Sequence, residues 1–245
     1  MNARDEILSN IRNAKVGRGD ERGAPLFRKR SRVELSGKWE EIEKHRASHM
    51  EELVENFKRE CESILGKVWV AENKEEVWQS LSSILKEAEI KKILIWESHV
   101  LERLEVNSLL DSLGIQNLFA AHKDHSQHLK QKDYLGIVKE AELGISGVDY
   151  GLADTGTLVL RALRGQDRST SLLPPIHVAI MEAERILPSS DDLLVKLQLE
   201  MTEHGTLDSC FSLITGPSKT ADIEMNLILG VHGPKNLHVI ILKRN

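Results

Sequence analysis

The rhythm of apolar and polar positions changes near residue 67. Beyond that point Val68-Trp69-Val70, Ile93-Leu94-Ile95-Trp96 and Asn117-Leu118-Phe119-Ala120 form short apolar runs that begin about 25 residues apart. Val77, Trp78, Leu81, Ile84, Leu85 and Ala88 recur at helical spacing between the first two runs, with Asn73 and Glu76 as a capping pair. Leu101, Leu104, Leu109, Leu110 and Leu113 do the same between the second and third. Strand alternating with helix at this interval predicts right-handed crossovers and parallel pairing, and runs apolar on both faces suit strands covered by helices. Five more strands are expected at residues 143–146, 157–160, 177–181, 211–214 and 238–242. A helix over 221–229 would join the last two into another parallel unit, and a helix over 191–202 would run from the Ser189-Ser190-Asp191-Asp192 cap to Gly205. Upstream, residues 2–15 read as a short helix, 16–32 as an exposed link, and 38–65 as a long helix ended by Gly66. That long helix carries Met50, Leu53, Val54, Phe57, Cys61 and Ile64 on one face, which makes Cys61 a core thiol. The expected fold is α/β, a largely parallel sheet flanked by helices. An N-terminal helical segment (residues 1–66) packs on the α/β domain (residues 67–245).

Composition narrows the function classes. The 245 residues are 29% charged and 40% hydrophobic with a net charge of −5, a balance that favours neither nucleic acid nor an anionic membrane. Arg28-Lys29-Arg30-Ser31-Arg32 reads as a solvated tether in this acidic context. No apolar run approaches the roughly 20 residues that span a bilayer, and the first residues lack the apolar stretch of a signal peptide. Cys61 and Cys210 are far apart and fit a reduced cytoplasm, so the expected location is cytoplasmic. Two thiols are too few for an iron–sulfur cluster, so no cofactor is expected on this chain. His122, His125 and His128 lie in a polar stretch that reads as solvated, and no metal site is expected.

Candidate chemistry gathers in loops. Thr215-Gly216-Pro217-Ser218-Lys219-Thr220 follows an apolar run and leads toward the expected helix, an order that would surround a helix N-terminus with N–H groups, hydroxyls and an ammonium suited to an anion. A plain capped turn is the alternative. Asp154-Thr155-Gly156-Thr157 precedes a strand; Gly156 would admit a ligand close to the backbone, or the segment is a tight turn. Arg161, Arg164 and Arg168 run into Ser169 and the stiff Pro174-Pro175, where arginine forks suit carboxylates or phosphates if they are not simply solvated. His232, between glycines, is a candidate base or anion donor. Ligands of parallel sheets gather at the carboxyl ends of strands, so the loop at 215–220 is expected at that edge. No dinucleotide fingerprint, full Walker loop or Gly-x-Ser-x-Gly elbow occurs.

The stretches Gly151-Leu152-Ala153-Asp154-Thr155-Gly156-Thr157, 168–174 and Ile214-Thr215-Gly216-Pro217-Ser218-Lys219-Thr220-Ala221-Asp222-Ile223-Glu224, continued by Leu229-Gly230-Val231-His232-Gly233-Pro234, together resemble the C branch of the LUD-domain family of lactate utilization proteins. The resemblance implies a fold similar to ribose-5-phosphate isomerases, coenzyme A transferases and formyltetrahydrofolate cyclo-ligases. It also implies a part in oxidising L-lactate to pyruvate beside two iron–sulfur partner proteins, which would carry the redox centres. On this expectation Thr155, Gly156, Thr157, Arg168, Ser169, Thr215, Gly216, Ser218, Lys219 and Thr220 hold an anionic ligand. Asp154, Asp222, Glu224 and His232 are the candidates for chemistry, although Asp222 and Glu224 equally suit helix capping. A stand-alone transferase or isomerase acting on an acyl-coenzyme A or phosphorylated metabolite would instead use Asp154, Asp222 or Glu224 as nucleophile. A purely structural subunit would use the loops to hold a partner.

Overall fold

The computed structural model describes residues 30–119, 131–163, 165–208, 210–221 and 227–243. The expected helix at 2–15, most of the link at 16–32, the histidines at 122, 125 and 128, Arg164, Asp222 and Glu224 lie outside the described residues.

Six strands make the main sheet: β1 (Lys67–Ala71), β2 (Lys92–Ile95), β3 (Gln116–Asn117), β4 (Leu143–Gly147), β7 (Ile176–Glu182) and β12 (Asn236–Leu242). Their order is β1-β12-β7-β4-β2-β3, and every pair is parallel. Ile93, Ile145, Val178, Ile180 and Ile240 are wholly buried, as strands covered on both faces require. The helix at Lys74–Glu87 starts as its sequence predicts: Asn73 Oδ1 accepts from Glu76 N at 2.9 Å, and Glu76 reaches back to Glu72 N at 2.8 Å. Where one long helix was expected over 38–65 there are two, α1 (Arg32–Ser48) and α2 (Met50–Ser63). The break falls at His49, whose backbone (φ −124°) leaves the helical region; Ser48 Oγ donates to Lys44 O and the His49 ring lies 2.9 Å from His45 O, which also accepts from His49 N.

A second, four-stranded sheet has the order β8-β5-β6-β9, made of β5 (Tyr150–Leu152), β6 (Thr157–Arg161), β8 (Ile186–Leu187) and β9 (Phe211–Ile214). Its side chains alternate: Leu158 and Leu160 enter the main core with Phe57 and Cys61 of α2. Tyr150, Leu152 and Val159 face Trp39 and Ile42 of α1 and Leu193 of the helix Ser190–His204. That helix ends at Gly205, as its sequence predicts.

The segment after β9 departs from expectation. Where a helix over 221–229 was expected, the described ends of that range are strands: β10 (Lys219–Ala221) and β11 (Leu227–Leu229) pair antiparallel. Nor does β9 join the parallel sheet, for it lies antiparallel to β6, with Leu213 59% exposed. A short apolar run such as Leu227-Ile228-Leu229 carries no period that separates helix from strand, and pairing decided. Among the described residues no helix is long and apolar enough to cross a membrane.

Gly156 proves to be a packing residue. It turns at φ 62°, and a Cβ there would stand 2.3 Å from Cys61 N in α2. We expect Gly156→Ala to destabilise the protein by about 3 kcal/mol or more, since strain and overpacking add. Gly37→Ala, in α1 with nothing within 4 Å, should gain about 0.5–1 kcal/mol. Urea unfolding of the two variants measures both.

Candidate functional site

A cleft of about 300 Å³ opens where β7 and β12 begin. One wall is the turn from β9 into β10, carrying Thr215, Ser218 and Lys219; the other is the loop before β12, carrying His232. Main-chain bonds fix the two walls together. Ser218 N donates to Pro234 O at 2.8 Å, and Gly230 N donates to Ser218 O at 2.9 Å. Lys235 N and Asn236 N both donate to Pro175 O, which ties the second wall to the start of β7. Ser171 and His177 complete the lining toward the sheet.

This places the cleft at the amino ends of the parallel strands, whereas the loop at 215–220 was expected at their carboxyl ends. The reason is topological: β9 belongs to the second sheet, so the turn that follows it does not follow a strand of the main one. Thr220 and Ala221 continue the strand β10 where a helix start was expected, and the described polarity of the cleft comes from side chains.

The other candidates divide. Thr155, Thr157 and Thr215 form a chain of hydroxyls, 2.9 Å at each link, which Thr155 extends to Asp154 at 3.2 Å. Two distant loops therefore meet, with Thr215 at the cleft and Asp154 at the far, exposed end. Gly156 faces α2 and offers no backbone approach to a ligand. Ser169 is occupied by Tyr134, whose hydroxyl lies 2.7 Å from its own. Arg168 is exposed at the start of the short helix Ser169–Leu172 and does not line the cleft, although its carbonyl accepts from Ser171 N. Gly216 and Lys219 line the cleft; Thr220 lies beside Lys219 in β10, opposite Ile228.

His177 escaped the sequence reading. Its one signal was a polar residue within the apolar run of β7. The ring is wholly buried, its Nε2 lies 2.8 Å from Ser146 Oγ, and its Nδ1 has no partner among the described residues. Burial pushes its pKa down to about 4, so the imidazole is neutral. Among the described residues no carboxylate lines the cleft, while Lys219, His232 and three hydroxyls do. Such a lining accepts an anion without repelling it. Asp154 is not placed to attack a ligand held there.

Cys61 is shut in the core, where burial pushes it up to about 12, so it is no thiolate ligand. Among the described residues no three His, Cys, Asp or Glu side chains are grouped to hold a metal ion.

The sequence profile of the LUD domain matches residues 54–242, which takes in the cleft and all three described sheets. The chain belongs to the LUD-domain family. This LUD protein is similar to lactate utilization protein C of Halalkalibacterium halodurans, 30% identical over 98% of this chain and 97% of that one. It is also similar to the protein of that name from Bacillus pumilus, 30% identical over 75% of each. A solved DUF162 family protein from Deinococcus radiodurans shares the fold, with a TM-score of 0.53 at 15% identity over 79% of this chain and 98% of that one.

Burial also pushes His238, in β12, down to about 4. Between pH 6.5 and 4 the unfolded chain takes up protons on His177 and His238 that the folded LUD protein refuses. Stability present above pH 6.5 is therefore lost as the pH falls, by up to about 3 kcal/mol per histidine. Urea midpoints from pH 7 to 4.5 should fall, and His177→Gln should make the fall shallower.

Proposed function

We propose that this LUD protein is a component of a lactate utilization system that oxidises L-lactate to pyruvate, holding a small carboxylate in the cleft beside Lys219. The observation that carries the anion site is the lining: an ammonium, an imidazole and hydroxyls, with no acid among the described residues, in a chain that is acidic overall. Lys219 supplies the charge, and Ser218, Thr215 and His232 supply hydrogen bonds. The near-full-length likeness to proteins named lactate utilization protein C supports the physiological setting.

Converting a secondary alcohol to a ketone removes two electrons and two protons. The electrons would pass to iron–sulfur partner proteins, because Cys61 is packed away and Cys210 alone cannot ligate a cluster. This chain's part is to bind and orient the anion, and Thr215, braced by Thr157, fixes one wall against it.

Lys219→Ala should weaken carboxylate binding by roughly 10- to 100-fold, the share of one charge-assisted bond. It should also slow growth on L-lactate of a strain whose own copy is deleted. Unchanged growth and binding would remove the site. Affinity purification of the wild-type chain from its host should bring down iron–sulfur proteins, and an eluate without them would remove the partner assignment.

A further inference from the structure

A second pocket, of about 180 Å³, opens at the opposite edge of the main sheet. Trp96 and Ser98 enter it just beyond the end of β2, Gly147 and Asp149 at the end of β4, and Glu182 at the end of β7. In the sheet order β2 leads outward to β3, whereas β4 leads the other way to β7. The chain thus diverges between β2 and β4, and the carboxyl ends at such a divergence are where open α/β sheets take ligands.

Two neutral side chains there are unspent. Ser98 Oγ and Gln166 Oε1 are closed to solvent and have no hydrogen-bond partner among the described residues. Gln166 Nε2 donates to Glu97 O at 3.4 Å, which leaves the amide oxygen as the free end. Buried polar atoms normally find partners, so two on one pocket ask for an occupant. The backbone makes room for them, since a Cβ on Gly147 would stand 2.7 Å from Ser98 Oγ. Trp96 Nε1 donates to Asp167 O at 2.7 Å and holds the ring at the pocket wall.

The acids here are already answered. Asp149 Oδ2 accepts from Arg161 N at 2.8 Å with the Arg161 side chain alongside, and Glu182 pairs with Arg103 at 2.5 Å and more loosely with Arg185. His99 and the half-exposed Arg185 also line the pocket. The neutral groups left without a partner are an amide oxygen and a hydroxyl, beside Glu182 Oε1, which has its ion pair but no hydrogen bond among the described residues; hydroxyl donors suit all three. The volume is below the roughly 300–1,000 Å³ that holds drug-sized ligands.

We propose that this pocket binds a small neutral polyhydroxylated molecule, whose hydroxyls donate to Gln166 Oε1 and bond Ser98 Oγ. The site is separate from the Lys219 cleft and answers to different chemistry.

The test is a titration of the full ¹⁵N-labelled chain, following the Trp96 indole N–H resonance, with glycerol, erythritol and D-ribose as neutral probes and acetate and inorganic phosphate as anions. A saturable shift with at least one neutral probe is expected, weakened about tenfold or more by Gln166→Leu and unmoved by Lys219→Ala. Ser98→Ala should leave the melting temperature unchanged or raised, because it removes an unpaired buried hydroxyl. A resonance that answers only the anions, one that answers no neutral probe, or a melting temperature lowered by Ser98→Ala would overturn the proposal.

Discussion

The cleft depends on the pinning of one residue, Ser218, between two main-chain partners. Its N–H donates to Pro234 O and its carbonyl accepts from Gly230 N, so the turn after β9 and the loop before β12 move as one piece. The bonds from Lys235 and Asn236 to Pro175 then fasten that piece to the paired strands β7 and β12, deep in the molecule. A lysine and a histidine on unconnected loops would meet an anion only at an entropic cost. Held this way, they face a shared space before any ligand arrives.

The two edges of the main sheet carry opposite chemistry for a structural reason. At the amino edge, segments from outside the sheet fold over the strand ends and bring Lys219 and His232, with no acid among the described lining residues. At the carboxyl edge, the strands' own extensions supply Asp149 and Glu182, and arginines from neighbouring segments neutralise them. Among the described residues, carboxylates are thus missing from the lining of one cleft and balanced by arginines at the other pocket. The hydroxyl chain from Asp154 to Thr215 links the second sheet to the first cleft, giving that sheet a role beyond covering the core.

Much of this was legible in the sequence. Runs such as Ile93-Leu94-Ile95 and Val178-Ala179-Ile180 are apolar on both faces because helices cover both sides of a parallel sheet, and the cap at Asn73 and Glu76 states its own geometry. The turns at 154–157, 215–218 and 230–234 were legible from glycine and hydroxyl chemistry. Their meeting point was not, because the edge a loop occupies follows from strand order, which no local pattern encodes. Leu227-Ile228-Leu229 was too short to show a period. Gly156 serves Cys61, whose neighbour across nearly a hundred residues no sequence motif names. Among strand residues, His177 and Ser146 gave single polar signals whose pairing appears only in three dimensions.

The central claim is that a small carboxylate is held beside Lys219 at the amino edge of the sheet. A crystal structure of the protein grown with L-lactate or pyruvate tests it most directly. Carboxylate density is expected within hydrogen-bond reach of Lys219 Nζ and Ser218 Oγ, with Thr215 and His232 at its sides. Density for the carboxylate elsewhere on the molecule, with that cleft holding only water, would contradict it.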